Sequence, residues 1–202
     1  MKKFFLLLVA LSILSFATTA QALRILNFDN LPKNYYWESA SKDNLANYYD
    51  GVIFGPTATI LEKTVYGYND TDYPPHSGDA VLMGYPSEHI RVDFDSPTNH
   101  VEFWFTAYNS LELEAYDASG VLLTESIFPG SNLTSYDFLE VNWGTFDIAF
   151  TLIHDGDANV FTPFTIDDFG YAPVPEPGTM LLFGSGLLGI AAFGRKRFLK
   201  MV

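Results

Sequence analysis

The sequence predicts an all-β protein, an antiparallel β-sandwich of the jelly-roll kind, with an N-terminal signal helix and a short apolar C-terminal helix. Three observations predict it. Short runs rich in β-branched and aromatic residues recur from Arg24 to Tyr171. Turn-forming clusters separate those runs, and no stretch of the body keeps a helical period for three turns. The runs are RILNF, ATIL, AVLMG, IRVDFD, HVEFWFTA, LELEAYD, VLLTES, FDIAFTLI and FTIDDFGY. Alternation is plainest in LELEAYD, where Leu111, Leu113 and Ala115 fall on one face and Glu112, Glu114 and Tyr116 on the other. Asp117-Ala118-Ser119-Gly120, Pro129-Gly130-Ser131-Asn132 and Asp155-Gly156-Asp157 supply turns between runs. Trp104, inside the apolar run HVEFWFTA, is expected in the core.

Composition narrows what such a body can do. The chain of 202 residues has a formal net charge of −13 and no cysteine. All 24 acidic residues lie between Leu23 and Gly178, against only Arg24, Lys33, Lys42, Lys63 and Arg91, which leaves that segment at −19. So negative a body repels phosphate backbones, so no nucleic-acid partner is expected, and it attracts divalent cations. Without cysteine there is no disulfide framework, no thiol catalysis and no thiolate metal site. Stability must come from a hydrophobic core or from bound ions.

The two ends read as addresses. MKKFFLLLVALSILSFATTAQA has a basic start, an apolar run and the small-x-small pattern Ala20-Gln21-Ala22. That is a secretory signal over residues 1–22, cut before Leu23 by signal peptidase after engaging the secretion machinery. The β-sandwich domain is expected over 23–172, and the C-terminal signal over 173–200. At that end, Met180 to Phe193 is apolar or small throughout. As a helix it spans about 21 Å, short of the roughly 30 Å hydrocarbon core, so flanking residues must extend a membrane helix to about 179–194. Arg195, Lys196, Arg197 and Lys200 follow it, and the positive-inside rule keeps such bases in the cytoplasm and the acidic body outside.

Pro175-Glu176-Pro177, the apolar stretch and the basic end, in that order over Val174 to Lys200, resemble the PEP-CTERM sorting signal. The resemblance implies an exosortase as partner, acting at Pro175, Glu176 and Pro177. It also implies an intermediate held in the inner membrane, then a product at the cell surface or in the extracellular matrix, associated with exopolysaccharide or biofilm. The hydrophobic tail is then a removable handle, comparable in logic to a GPI signal. A second resemblance rests on FDNLP, PPHSGDAVLMG, LELEAYDASGVLLTES and FTIDDFGY, which look like lectin-type and carbohydrate-binding-module jelly rolls. In those folds a structural calcium often joins the first strand, an HSG-type loop and the last strand. The matching residues here are Asp29, Ser77, Gly78, Asp79 and Asp168, with carboxylates from Asp29 and Asp168 and a backbone carbonyl from Ser77 or Gly78. Adjacent strand residues face opposite ways, so Asp167 and Asp168 cannot both enter one site without a bend. Asp168 is expected to point away from the Ile166 face and to be the ligand.

Other patterns are weaker. Asp155-Gly156-Asp157-Ala158-Asn159 begins like an EF-hand loop, but Val160 and Ile166 occupy its glycine and glutamate positions. Tyr35, Tyr36 and Trp37 lie among polar residues and suit stacking on the CH faces of sugars; covering an edge of the core would use the same rings. Glu112 and Glu114 share a strand face about 7 Å apart, a spacing compatible with glycosidase carboxylates and equally with a solvated face. No G-x-S-x-G elbow occurs in the body, and His76, His89, His100 and His154 are scattered without metalloprotease spacing. The sequence therefore predicts an exported, non-enzymatic surface or matrix protein. A carbohydrate-binding module proper is the alternative, and a polysaccharide hydrolase the second.

Overall fold

The computed structural model describes residues 22–31, 45, 48–62, 72–84, 89–130, 134–156, 163–174, 183–184 and 186–187. Eleven strands are formed: β1 (Arg24–Leu26), β2 (Val52–Phe54), β3 (Ala58–Glu62), β4 (Ala80–Gly84), β5 (Ile90–Thr98), β6 (His100–Ala107), β7 (Leu111–Tyr116), β8 (Leu122–Phe128), β9 (Thr134–Asn142), β10 (Ile148–Asp155) and β11 (Phe164–Tyr171). They make two antiparallel sheets. One runs β3-β4-β11-β6-β9 with β1 paired on β11, and the other runs β2-β5-β10-β7-β8. The expected all-β sandwich is thus the observed class.

Nine of the strands coincide with runs read from the sequence. β2 and β9 do not. β2 is only three residues long, and β9, TSYDFLEVN, begins with polar residues and shows its alternation late, in Leu139 and Val141. A partner supplies what its own pattern lacks: β9 pairs along β6 from His100 opposite Asn142 to Ala107 opposite Thr134.

The core lies between the sheets; most of it is aliphatic, and a cluster of phenylalanines packs within it. Phe54 packs edge-on to Phe28 at 5.8 Å and to Phe169 at 5.5 Å, and Phe169 stacks on Phe103 at 6.4 Å. All four side chains are fully buried. At about 1.5–3 kcal/mol for each such side chain, this cluster takes the place of the disulfides the chain lacks. Strand β7 follows its predicted alternation, with Leu111, Leu113 and Ala115 buried and Glu112, Glu114 and Tyr116 on the outer side.

The compact unit is Ala22–Val174; the remaining residues, Met1–Gln21 and Pro175–Val202, group separately. Of the latter, 183–184 and 186–187 are helical. Among the described residues no helix is long and apolar enough to cross a membrane. Ala20, Pro175, Glu176, Pro177, Arg195, Lys196 and Arg197 lie outside the described residues, as do Tyr35, Tyr36 and Trp37.

Candidate functional site

Where β11 leaves the plane of its sheet, three carboxylates meet a loop. Phe164 to Asp167 pair with β6 in register, and the register then shifts before Gly170. Period 2 puts Asp168 on the same face as Ile166, turned into the sandwich, so alternation does not give the outward direction expected for it. Instead Asp168 takes a left-handed backbone conformation, φ +48°, so Asp167 and Asp168 both face outward and Phe169 returns to the core. The bend that would admit both aspartates to one site is present. Phe28, next to Asp29, has φ +56°, a conformation uncommon for a bulky residue. Backbone strain of this kind persists where the surroundings over-determine it, and here it brackets the carboxylates from both sides.

The loop at Ser77–Asp79 touches Asp29 on one side and Asp167 and Asp168 on the other. Asp29 Oδ1 accepts the backbone N–H of Asp79 at 2.8 Å and of Ala80 at 3.0 Å. Ser77 donates its backbone N–H to Asp167 Oδ2 and its hydroxyl to Asp168 Oδ1, each at 2.7 Å. Gly78, at φ +58°, lies against the Asp29 carboxylate so closely that a Cβ there would overlap both oxygens. In this structure Ser77 and Asp79 thus act through N–H and O–H donors, and Gly78 through the side chain it lacks.

Asp167, which the sequence reading set aside, is the most buried of the three at 2 % exposure. Its carboxyl is pushed up to about 7, first by burial and then by the neighbouring charges of Asp168 and Asp29, against the opposing hydrogen bonds from the Ser77 and Asp168 backbone. The signal that would have found it is Gly170, two residues after the Asp-Asp pair, because a glycine inside a strand often marks a bulge.

His76 links this acid group to the aromatic outer face of the sheet. Its Nδ1 lies 2.7 Å from Asp168 Oδ2, and its ring stacks on Trp104 at 4.0 Å, 3° from parallel. Trp104 in turn packs on Phe138 at 5.2 Å. Trp104 is half-buried on the outer side of β6, not in the core as expected; Phe103 and Phe105 take the core positions on either side of it. The reason is parity: within HVEFWFTA only alternate residues can face the other sheet. Ser77 and His76 address the two oxygens of one carboxylate, which is not the relay order of a Ser-His-Asp triad.

The remaining sequence-derived features are distributed elsewhere. Tyr48 and Tyr49, in the same aromatic-rich stretch as Tyr35, Tyr36 and Trp37, pack against the core edge, and Tyr48 donates its hydroxyl to the Asn30 carbonyl at 2.7 Å. Asp155 ends β10, where the Asn109 side-chain amide donates to it at 3.3 Å; Asp157 and Asn159 lie outside the described residues. Glu112 and Glu114 are drawn together with His154, their ligand-type atoms all within 4.8 Å of one another, closer than strand spacing alone implies.

Residues 173–197 match the family described as the PEP-CTERM protein-sorting motif. None of the curated protein sequences matches the chain. Among solved structures, a family 61 carbohydrate-binding module in complex with β-1,4-galactotriose is similar at 13% identity and a TM-score of 0.42, over 74% of this chain and 99% of that one. The K2 cleaved adhesin domain of Lys-gingipain is similar at 9% identity and a TM-score of 0.45, over 76% and 99%. A family 29 carbohydrate-binding module from Piromyces equi is similar at 12% identity and a TM-score of 0.37, over 58% and 91%. The chain therefore carries a PEP-CTERM sorting motif behind an antiparallel β-sandwich.

Proposed function

We propose that this is an exported, non-enzymatic β-sandwich protein, held first in the inner membrane by its C-terminal segment. An exosortase then processes it at Pro175-Glu176-Pro177 for delivery to the cell surface or extracellular matrix. There it associates with exopolysaccharide. The observation that carries the reading is the sorting-motif match over residues 173–197, joined to residues 1–22 read as a secretory leader. The proposed domain limits are 1–22 for the leader, 23–172 for the sandwich and 173–200 for the sorting signal. The test is expression of the full chain in a Gram-negative host with and without an exosortase, followed by mass measurement of the exported product. Loss of the C-terminal segment only when the exosortase is present is expected. An unchanged mass under both conditions, or loss unaffected by Glu176→Ala, refutes the processing step.

A carbohydrate-binding module proper is the second reading, favoured by the outward aromatic group of Trp104, Phe138 and His76 beside hydrogen-bonding carboxylates. Tyr35, Tyr36 and Trp37 remain its other proposed stacking residues. Glycan-array binding that disappears with Trp104→Ala or with Trp37→Ala, folding intact, supports it; silence across neutral and acidic glycans refutes it.

Calcium belongs to the same proposal. A buried carboxylate flanked by two others is chemistry suited to a hard cation, and Asp29, Asp167 and Asp168 are the residues that would hold it. The ion would tie the first and last strands to the loop at Ser77–Asp79. A melting temperature that rises in calcium and falls in excess chelator is expected, and an identical value in both ends the proposal.

A further inference from the structure

On the outer face of the other sheet, three side chains converge without any part in the reading above. Glu112 and Glu114 project from the same side of β7, and His154 lies opposite Glu112 on β10. His154 Nε2 is 3.3 Å from Glu114 Oε2 and 3.9 Å from Glu112 Oε2. Its other nitrogen, Nδ1, lies 3.2 Å from the Asp155 backbone carbonyl. A carbonyl can only accept, so Nδ1 donates there, and Nε2 faces the two carboxylates. A second proton on the ring or a bound cation each supplies the positive charge that these two carboxylates call for. Histidine ligands show the same pattern, donating one N–H to a carbonyl while the other nitrogen meets a metal.

We propose that Glu112, Glu114 and His154 form a binding site for a divalent transition metal of the zinc class. One imidazole and two carboxylates neutralise a divalent charge, and an N/O donor set of this kind suits zinc. Ligand atoms on a tetrahedral zinc stand about 3.4 Å apart, given metal–ligand bonds of about 2.0–2.2 Å. The separation of 3.3 Å already meets that value, and 3.9 Å needs only a small rotation of Glu112. The site has a built surround. The Tyr116 hydroxyl donates to Glu114 Oε2 at 2.8 Å, while its ring is stacked on Phe150 at 4.9 Å. Gly156 leaves the space that the Glu112 carboxylate occupies, since a Cβ there would sit 2.6 Å from Oε1. A second cluster, His100 with Glu102 and Glu140, lacks this poise. Both ring nitrogens of His100 are engaged at hydrogen-bond distance, by Asn142 Oδ1 at 2.6 Å and by Glu102 Oε2 at 2.7 Å.

The test is calorimetric titration of zinc chloride into the full-length, untagged chain, kept in mild detergent and freed of metal beforehand. One equivalent is expected to bind. His154→Ala or Glu114→Gln should abolish that binding, and Tyr116→Phe should weaken it about 10-fold, the low end of what a residue holding a metal ligand contributes. His100→Ala should leave it unchanged. Absent binding, binding kept in both His154→Ala and Glu114→Gln, or binding lost equally in His100→Ala overturns the proposal. Because a variant can fail to fold, cobalt loading of the unmodified chain provides a second measurement. Intense visible bands of four-coordinate cobalt, displaced by zinc, support the site, and the weak bands of hydrated cobalt overturn it.

Discussion

Replacing Gly78 by alanine probes how tightly the loop is fitted to Asp29. Two separate costs arise. Gly78 sits at φ +58°, where a side chain strains the backbone by about 1–2 kcal/mol. The new Cβ also displaces the Asp29 carboxylate, which receives N–H bonds from Asp79 and Ala80 at 2.8 and 3.0 Å. Such bonds to a charged, half-exposed group are worth about 1 kcal/mol each, below the range for fully desolvated ones. The sum is about 3–4 kcal/mol, or a melting temperature lowered by roughly 6–16 °C for a domain of this size. Gly120 is the control. It has φ +83° with nothing near its would-be Cβ, so Gly120→Ala should cost only the backbone part, about 1–2 kcal/mol. Thermal melts of both variants, and of Gly78→Ala combined with Asp29→Ala, separate the costs. If Gly78→Ala is no worse than Gly120→Ala, or removing the Asp29 carboxylate brings no relief relative to Asp29→Ala alone, the fitted-loop reasoning is wrong.

Other expectations follow from the same geometry. Asp167 is raised from 3.8 to about 7, so between those values the folded chain holds a proton that the unfolded chain releases. Stability from this group is therefore present at low pH and lost as pH rises through that window. Urea melts in chelator should show a fall with pH that Asp167→Asn reduces; parallel slopes in both proteins contradict it. Phe103→Ala, which empties a fully buried position between stacked and edge-on phenylalanines, should cost about 3–5 kcal/mol. Asp93→Ala breaks the bidentate pair with Arg91, but both partners are 39–44% exposed, so its cost should stay below about 1 kcal/mol. Chemical denaturation of the two variants side by side checks the ranking.

The residue pattern alone determined the all-strand body, because alternation and turn chemistry act over a few residues and need no knowledge of the partner strand. It also marked the sorting signal, whose parts are contiguous in sequence. Strands β2 and β9 escaped it: one is too short to show a period, and the other is held by pairing to β6. The meeting of Asp29, Ser77, Gly78, Asp79 and Asp168 was reached by resemblance, since nothing local joins residues separated by as many as 139 positions. Tertiary structure decided the rest. The bulge at Asp168 turned both aspartates outward, and pairing with β11 and β9 set Trp104 on the outer face. The alignment of β10 with β7 brought His154 to Glu112 and Glu114. Each depends on register between distant strands, a cooperative property of the assembled sheets that no local stretch of sequence encodes.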